Sequence, residues 1–316
     1  MTSPRIPHSL VATMLVVCWS SGFVGAELAA RTAADPVTLL AWRFAALALV
    51  LVVVCALVGH GLPRRAGAWR RQGAVALLTQ VTYLALVFEG VHRGVPGGTA
   101  ALLAALQPLL VATVAGPLLD ERTSRRQWVG LLVGMAGVVL VVSGDLQVAG
   151  APGWAYLLPV GAMLSLAAGT VLERRLAPPE SLLETITLQA CLTAAAFLLL
   201  AVGAGRATPP ADANFWAAVA WLLMLASLGG YGSYVLLARR RGATHVSALL
   251  YLTPPTTLLW IFLMFGEPVP LAGLAGMMVS GVGIAIYGLR RAAPPGTRGR
   301  EKVGHREGRP AAERFA

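Results

Sequence analysis

The sequence predicts an all-α membrane protein whose ten transmembrane helices form two inverted five-helix repeats. Three observations support this fold class: an apolar composition, ten apolar stretches of membrane-spanning length, and a set of features that recurs in the second half of the chain. Of the 316 residues, 57% are hydrophobic and 12% are charged, and the mean hydropathy is +0.71. Soluble domains contain about 25% charged residues, so the composition indicates a chain that lies largely in lipid.

The apolar stretches are long enough to cross a bilayer as helices, which takes about 20 residues each. The first stretch resembles a signal peptide in its position. Its basic flank is thin (Arg5 and His8) and no clear cleavage site follows, so we interpret it as a retained span. The ten stretches run over residues 10–30, 37–58, 73–91, 97–118, 127–143, 153–173, 183–203, 213–237, 245–265 and 271–289.

The distribution of basic residues predicts the orientation. With a cytoplasmic N-terminus, 21 of the 25 Lys and Arg fall on the cytoplasmic side, Arg31, Arg93 and Arg206 fall outside, and Arg43 lies within a span. This asymmetry follows the positive-inside rule and places both termini in the cytoplasm. The net charge of +11 then reflects topology and contact with anionic membrane lipid, and no nucleic-acid partner is predicted. The tail at 292–316, rich in Pro, Gly and Arg, is predicted to be disordered, basic and cytoplasmic.

Features of the first half recur in the second half after a shift of 146 to 148 positions. This recurrence predicts one five-helix repeat at residues 1–146 and another at 147–291. Because five is an odd number of spans, the second repeat enters the membrane from the opposite side, as in many secondary transporters. The aligned pairs are Glu27 and Glu173, Arg43 and Gln189, Tyr83 and Tyr231, and Pro108 and Pro254.

Pro108 and Pro254 stand near the middle of apolar stretches, where a proline removes a backbone donor and costs about 3 kcal/mol or more. Interrupted apolar segments at corresponding positions of two repeats are typical of a transporter's substrate site. We therefore expect the prolines to tilt and loosen the fourth and ninth spans where these line a central cavity. Gln107 and Thr253 immediately precede the prolines and either contact substrate or satisfy the freed carbonyls; we favour a role in the cavity.

Several of these segments also resemble a known family. The run "VVCWSSGFVGAELA", the "AWRF" that contains Arg43, and the two proline segments, each followed by a glycine-rich helix, are similar to the EamA family of the drug/metabolite transporter superfamily. The resemblance covers about residues 10–290 and implies two tandem five-helix repeats and transport of metabolites. The sequence departs from the family pattern at Asp120 and at Gln189, where a second arginine is expected.

Arg43 is the most conspicuous candidate site residue because a charge in the hydrocarbon core costs about 2.5–3.5 kcal/mol. Glu27 and Glu89 are the carboxylates expected at its depth. In one interpretation Arg43 forms a structural ion pair, and its aliphatic stem snorkels towards the membrane surface. The other is a gate, or a point that binds a substrate carboxylate with the guanidinium fork. Glu173, which precedes two arginines, is interpreted first as a solvated loop residue.

The remaining candidates are aromatic or small. Trp19, Tyr83, Tyr231 and Tyr251 are candidates for the cavity wall, although aromatic residues in spans more often pack or anchor at the interface. Glycines and Ser280 at four-residue spacing in the fifth and tenth stretches predict close helix packing, with a homodimer seam as the alternative. The three cysteines and five histidines show no metal-ligand spacing, so neither a metal nor a cofactor is predicted. The predicted substrate pathway is Trp19, Glu27, Arg43, Tyr83, Glu89, Gln107, Pro108, Gln189, Tyr231, Tyr251, Thr253 and Pro254.

These features predict a secondary transporter that exports small polar metabolites, such as amino acids, by alternating access. The chain lacks the GxxxxGK[ST] motif, so no nucleotide hydrolysis of its own is expected. A passive channel is the main alternative. A membrane-embedded enzyme is disfavoured because Asp35, Asp120, Asp145 and Asp212 all fall in predicted loops. The preference for arginine, 24 of 25 basic residues, suggests a bacterial source and hence the inner membrane.

Overall fold

The computed structural model describes residues 7–59, 65–107, 110–111, 125–148, 150–176, 179–241, 249–250, 252–267 and 271–288. Two predicted site residues, Pro108 and Tyr251, lie outside the described residues, as does the predicted tail at 292–316. Within these ranges the secondary structure is helical throughout and includes no strand.

Each of the ten predicted stretches contains a helix among its described residues. Two of the helices, α3 and α8, are interrupted by a π-helical segment, and α6 is preceded by a 3-10 turn at Gly153–Tyr156. The helices are α1 (His8–Ala30), α2 (Pro36–Leu57), α3 (Ala66–Ala76, π-helical Leu77–Thr82, Tyr83–His92), α4 (Gly97–Ala105), α5 (Arg125–Val148), α6 (Leu157–Leu176), α7 (Leu182–Gly203), α8 (Ala213–Trp221, π-helical Leu222–Tyr231, Gly232–Arg241), α9 (Thr253–Phe265) and α10 (Leu271–Gly288).

Six of these helices are long and apolar enough to cross a membrane: α1, α2, α3, α6, α7 and α8. The apolar parts of α5, α9 and α10 are shorter, and the end of the fourth predicted stretch, beyond residue 111, lies outside the described residues. Large apolar side chains on the outside of the bundle are exposed, for example Leu57 at 82% and Leu199 at 74%. Such side chains would be unfavourable in water and suit contact with lipid tails.

Polar residues at the helix starts explain where several helices begin. Asp35 accepts a hydrogen bond from the Val37 backbone N–H at 2.9 Å, and Pro36 occupies the first turn of α2. Ser181 and Glu184 form a reciprocal capping box at the start of α7. These caps satisfy backbone donors that the helix itself leaves unpaired.

The main helix pairings correspond between the two halves of the chain. Three pairs join counterparts five helices apart, namely α5 with α10, α2 with α7 and α4 with α9. In the same way α1 packs on the π-helical segment of α8, while α6 packs on α3. At the α2–α7 contact the rings of Phe44 and Phe197 stack with centroids 5.9 Å apart.

The α5–α10 pair is held by small residues. A Cβ on Gly283 would lie 2.7 Å from the Gly130 carbonyl oxygen, and a Cβ on Gly137 would lie 2.5 Å from that of Gly276. The Ser280 hydroxyl donates to the Gly134 carbonyl at 3.1 Å. The glycine pattern therefore serves packing within the bundle, as its spacing predicts.

This close approach predicts that Gly283→Ala destabilises the protein. Because the new methyl group would overlap the α5 backbone, we expect a loss of about 1–3 kcal/mol in the free energy of unfolding, seen as a lower thermal midpoint in detergent. Gly281→Ala on the same helix is the control, since no atom lies within 4 Å of a Cβ there. Equal midpoints for the two variants would contradict the packing described here.

Candidate functional site

A cavity of about 570 Å³ opens between the two halves of the bundle. It is lined by side chains from α1, α2, α3, α4, α6, α7 and α8 and by residues at the start of α9. The predicted pathway residues that line it are Trp19, Arg43, Tyr83, Gln107, Gln189, Tyr231 and Thr253.

The two proline-containing stretches are interrupted at corresponding positions beside this cavity. α4 ends at Ala105 and is followed by a turn at Leu106, whose N–H donates to Leu103 at 3.1 Å. In the ninth stretch the turn falls at Leu252, whose N–H donates to Leu249 at 3.0 Å. The two turns are 146 positions apart, the shift at which Pro108 aligns with Pro254.

Pro254 was expected to tilt a continuous helix from within. The structure instead places it in the first turn of α9, which begins at Thr253. A helix needs no backbone donor from its first turn, so the proline is tolerated there. Pro254 is buried but does not line the cavity, so its effect on the site is to end one helical segment and start the next.

Arg43 is buried, at 6% exposure, and borders the cavity. Its Nη2 and Nε lie 3.2 and 3.4 Å from the Ser227 hydroxyl oxygen. Its guanidinium also lies 5.0 Å from the centre of the Phe44 ring, which offers a favourable cation–π contact. No described carboxylate forms an ion pair with it.

The predicted pairing of Arg43 with Glu27 or Glu89 is therefore wrong, and neither glutamate lines the cavity. Glu27 instead accepts a hydrogen bond at 2.6 Å from the Gly97 N–H at the start of α4, where the helix dipole favours a negative charge. Glu89 pairs with Arg93 one turn away on its own helix, at 2.7 Å. Each of the two carboxylates therefore has a nearer donor than Arg43.

Glu173 was interpreted as a solvated loop residue, and the structure contradicts this. It lies within α6, is partly buried and borders the cavity. Its alignment with Glu27 was the signal that could have identified it as a residue of the helical bundle. The shift of 148 that aligns Tyr83 with Tyr231 also pairs Thr79 with Ser227, two cavity hydroxyls that sequence reasoning missed.

A chain of side chains connects the cavity with the α6–α7 loop. The Tyr231 hydroxyl donates to Gln189 Oε1 at 3.3 Å, and Gln189 Nε2 donates to Gln72 Oε1 at 3.0 Å. Gln72 Nε2 then donates to Glu180 at 3.0 Å, and Arg71 donates to the other oxygen of Glu180 at 2.5 Å. Burial alone raises the pKa of a carboxyl, but the hydrogen bonds from Arg71 and Gln72 outweigh it and hold the pKa of Glu180 below its ordinary value of 4.5.

The two residues that precede the prolines both face the cavity. Gln107 Nε2 donates to the Thr170 hydroxyl at 2.9 Å, which ties the end of the fourth stretch to α6. The Thr253 hydroxyl oxygen is buried and has no hydrogen-bond partner among the described residues. A buried hydroxyl without a partner is costly, so a bound molecule is a natural acceptor for it.

Apolar and aromatic side chains complete the wall. Trp19 and Tyr234 rings lie 5.3 Å apart, and Tyr234 stacks on Tyr231 at 6.0 Å. The π-helical segment of α3 ends immediately before Tyr83, and that of α8 ends at Tyr231. Both tyrosines line the cavity. Such segments often occur at functional sites, and no periodicity in the sequence revealed them.

Within the described part of the chain no group of three or more His, Cys, Asp or Glu is placed to hold a metal ion. The site therefore consists of a buried cation, a separate carboxylate, several amide and hydroxyl groups, and an apolar wall. Such a cavity can bind a small molecule through its polar groups while it accommodates an apolar portion.

Comparison with known proteins assigns this architecture to a family. A model described as the EamA-like transporter family matches the chain twice, at residues 8–143 and 153–289. The chain is 23% identical to the "Probable amino-acid metabolite efflux pump" of Salmonella typhimurium, over 89% of this chain and 95% of the relative. It is 33% identical to the "Probable terminal-alkyne amino-acid exporter" of Streptantibioticus cattleyicolor, over 65% and 70% of the two chains.

Two further matches agree with this. The "Uncharacterized inner membrane transporter YedA" of Escherichia coli is 25% identical over 78% of each chain. A solved crystal structure of a protein superposes with a TM-score of 0.65 at 22% identity, covering 88% of this chain and 96% of the other. At that identity the superposition shows the fold alone.

The position of Glu180 predicts a pH-dependent contribution to stability. A carboxyl whose pKa is lower in the folded state stabilises the protein above its ordinary pKa, and this contribution is lost as the pH falls through the lowered value. We expect Glu180→Gln to cost about 1–3 kcal/mol near neutral pH, with the difference from the wild type shrinking in acid. Thermal midpoints in detergent between about pH 7 and pH 3 measure this. Glu184→Gln is the control, since glutamine also serves a capping box. If the stability difference between Glu180→Gln and the wild type did not change with pH, the assignment would be wrong.

Proposed function

This chain belongs to the EamA-like transporter family, and from that premise we propose that it is a secondary transporter that exports small polar metabolites, such as amino acids, by alternating access. The observation that carries the proposal is the cavity between the halves, in which Arg43 is buried without a carboxylate partner among the described residues. A buried cation without a counter-ion is costly. Because Arg43 borders the cavity, a substrate carboxylate that enters the cavity can supply the missing negative charge.

The names of two relatives support this substrate class. One is named as an amino-acid metabolite efflux pump and the other as a terminal-alkyne amino-acid exporter. An amino acid carries a carboxylate that suits the planar fork of a guanidinium. Export, rather than uptake, is proposed from these names alone.

The alternating-access part of the proposal rests on ten spans in two inverted repeats. The family model matches twice, once in each half. The main helix pairings correspond between the halves, as do the interruptions at Leu106 and Leu252. In such an arrangement the two halves can exchange conformations. The cavity then opens first to one side of the membrane and afterwards to the other.

The basic residues support an orientation with both termini in the cytoplasm. In that orientation the Glu27–Gly97 hydrogen bond and the Arg31–Glu267 ion pair lie towards the outside. The Arg71–Glu180 pair lies at the cytoplasmic ends of α3 and α7. Polar contacts at both ends of the cavity are what a pair of alternating gates requires.

We predict that Arg43→Gln reduces export of preloaded amino acids from cells by about tenfold or more, because hydrogen bonds to a charged group contribute about 1.5–3 kcal/mol. Export is measured as the rate at which labelled amino acids appear in the medium, normalised to the protein in the membrane. Arg93→Gln is the matched control, since its ion pair with Glu89 is largely exposed and contributes little. Equal rates for the two variants would remove Arg43 from the transport site. Large single-channel currents in lipid bilayers would instead favour a passive channel.

The inverted topology predicts opposite faces for two corresponding loops. In a background lacking Cys18, Cys55 and Cys191, we expect Arg93→Cys to react with an impermeant thiol reagent from outside the cell. Arg241→Cys should react only after the membrane is opened, since the loop that follows α8 would face the cytoplasm. Labelling of both positions from the same side would rule out inversion.

A further inference from the structure

We propose that the cavity is selective for zwitterionic substrates, with Arg43 binding the carboxylate and Glu173 binding the ammonium group of the same molecule. The inference rests on the proposed transport function and specifies its substrate class. It is carried by the presence in one cavity of two opposite charges for which the described residues supply no ion-pair partner.

Arg43 has more hydrogen-bonding capacity than the protein uses. A guanidinium offers five N–H donors in a fixed fork, whereas the described hydrogen bonds of Arg43 are two long ones to the single oxygen of Ser227. The side chain is 6% exposed, so water outside the bundle does not solvate it. The remaining donors border the cavity, where a carboxylate can accept them in pairs.

Glu173 also has no hydrogen bond or ion pair to another described residue. The neighbouring hydroxyls are engaged elsewhere: Thr170 donates to the Leu166 carbonyl at 2.8 Å, and Tyr231 donates to Gln189 at 3.3 Å. The carboxylate borders the same cavity as Tyr231. A partly buried carboxylate without donors is suited to an ammonium group brought by the ligand.

The two charges border one cavity, which a single segment of α8 also lines. Arg43 contacts Ser227, and Glu173 lines the cavity together with Tyr231, four positions further along that π-helical segment. A cavity of about 570 Å³ can hold one small molecule that contacts both charges. Arg43 and Glu173 do not pair with each other, although opposite charges in an apolar cavity attract strongly.

The rest of the lining determines which molecules fit. Among the described residues that line the cavity, Arg43 and Glu173 are the charged ones, so the two charges cancel. A ligand of net charge would leave one of them unpaired, whereas a zwitterion compensates both. Trp19, Phe23 and Phe44 supply an apolar wall, which favours amino acids with a large apolar side chain.

The experiment measures binding to the purified full-length protein in detergent by titration calorimetry. The probes are L-phenylalanine, its analogue without the amine (3-phenylpropanoate) and its analogue without the carboxylate (2-phenylethylamine). L-leucine, 4-methylpentanoate and 3-methylbutylamine form a second set. We expect at least one amino acid to bind about tenfold or more tightly than both of its analogues.

The variants assign each charge to one group of the ligand. Glu173→Gln should weaken binding of the amino acid about tenfold and leave binding of the amine-free analogue unchanged or tighter. Arg43→Gln should also weaken binding of the amino acid, but it should leave binding of the carboxylate-free analogue unchanged or tighter. Asp212→Asn is the matched control for Glu173→Gln, since Asp212 caps α8 away from the cavity and asparagine caps equally well. Glu173→Asp and Arg43→Lys, which keep the charges, should retain preference for the amino acid.

Equal weakening of all three probes by Glu173→Gln, or no weakening at all, would show that Glu173 does not bind the ammonium group. If neither amino acid binds more tightly than its analogues, the inference is also wrong. Transport is measured separately in loaded vesicles. Discrimination in binding without transport would refute the proposed function alone, and transport without discrimination would refute only the zwitterion site.

Discussion

Hydrocarbon offers no hydrogen-bonding partner, and this constraint governs the rest of the structure. Every backbone donor must be satisfied within a helix, so the apolar stretches become helices and irregular backbone is tolerated only where it is covered by protein or borders a cavity. The turns at Leu106 and Leu252 obey this rule, because both adjoin the cavity. The same constraint applies to side chains: a charge such as Arg43 needs a partner inside the bundle, and its described partners are one hydroxyl and one aromatic ring. Among the described residues that line the cavity, Arg43 and Thr253 are therefore polar groups that the fold leaves incompletely satisfied.

Much of the architecture could be predicted because it depends on composition and length. A continuous apolar run of about 20 residues has one low-energy conformation in a bilayer, and each predicted stretch contains a helix among its described residues. The close α5–α10 contact was also predictable, since glycines and Ser280 at four-residue spacing fall on one face of a helix. Seven of the predicted pathway residues line the cavity because polar and aromatic residues inside apolar helices tend to face one another rather than lipid.

The errors concern contacts between elements that are distant in sequence. The depth of Arg43, Glu27 and Glu89 followed from their positions along each helix, but the direction in which each side chain points did not. In helices that are apolar on all sides the sequence contains little information about orientation around the axis. Glu27 therefore meets the start of α4, and Arg43 meets Ser227, 184 positions away. Glu173 was misassigned because the arginines that follow it were taken to mark a loop, whereas α6 continues to Leu176.

The corresponding irregularities of the two halves suggest how a rigid set of helices can move. Both α3 and α8 contain a π-helical segment beside a cavity tyrosine, and both the fourth and ninth stretches are broken one residue before Gln107 and Thr253. Wider turns and breaks are where a helix bends at the lowest cost, since their hydrogen bonds are already rearranged. One member of each pair belongs to each half. The π-helical segment of α8 also connects two parts of the site, because Tyr231 begins the chain of hydrogen bonds that runs through Gln189 to Glu180, while Ser227 holds Arg43. The buried cation of the cavity and the hydrogen bonds that reach Glu180 therefore meet on one irregular helical segment.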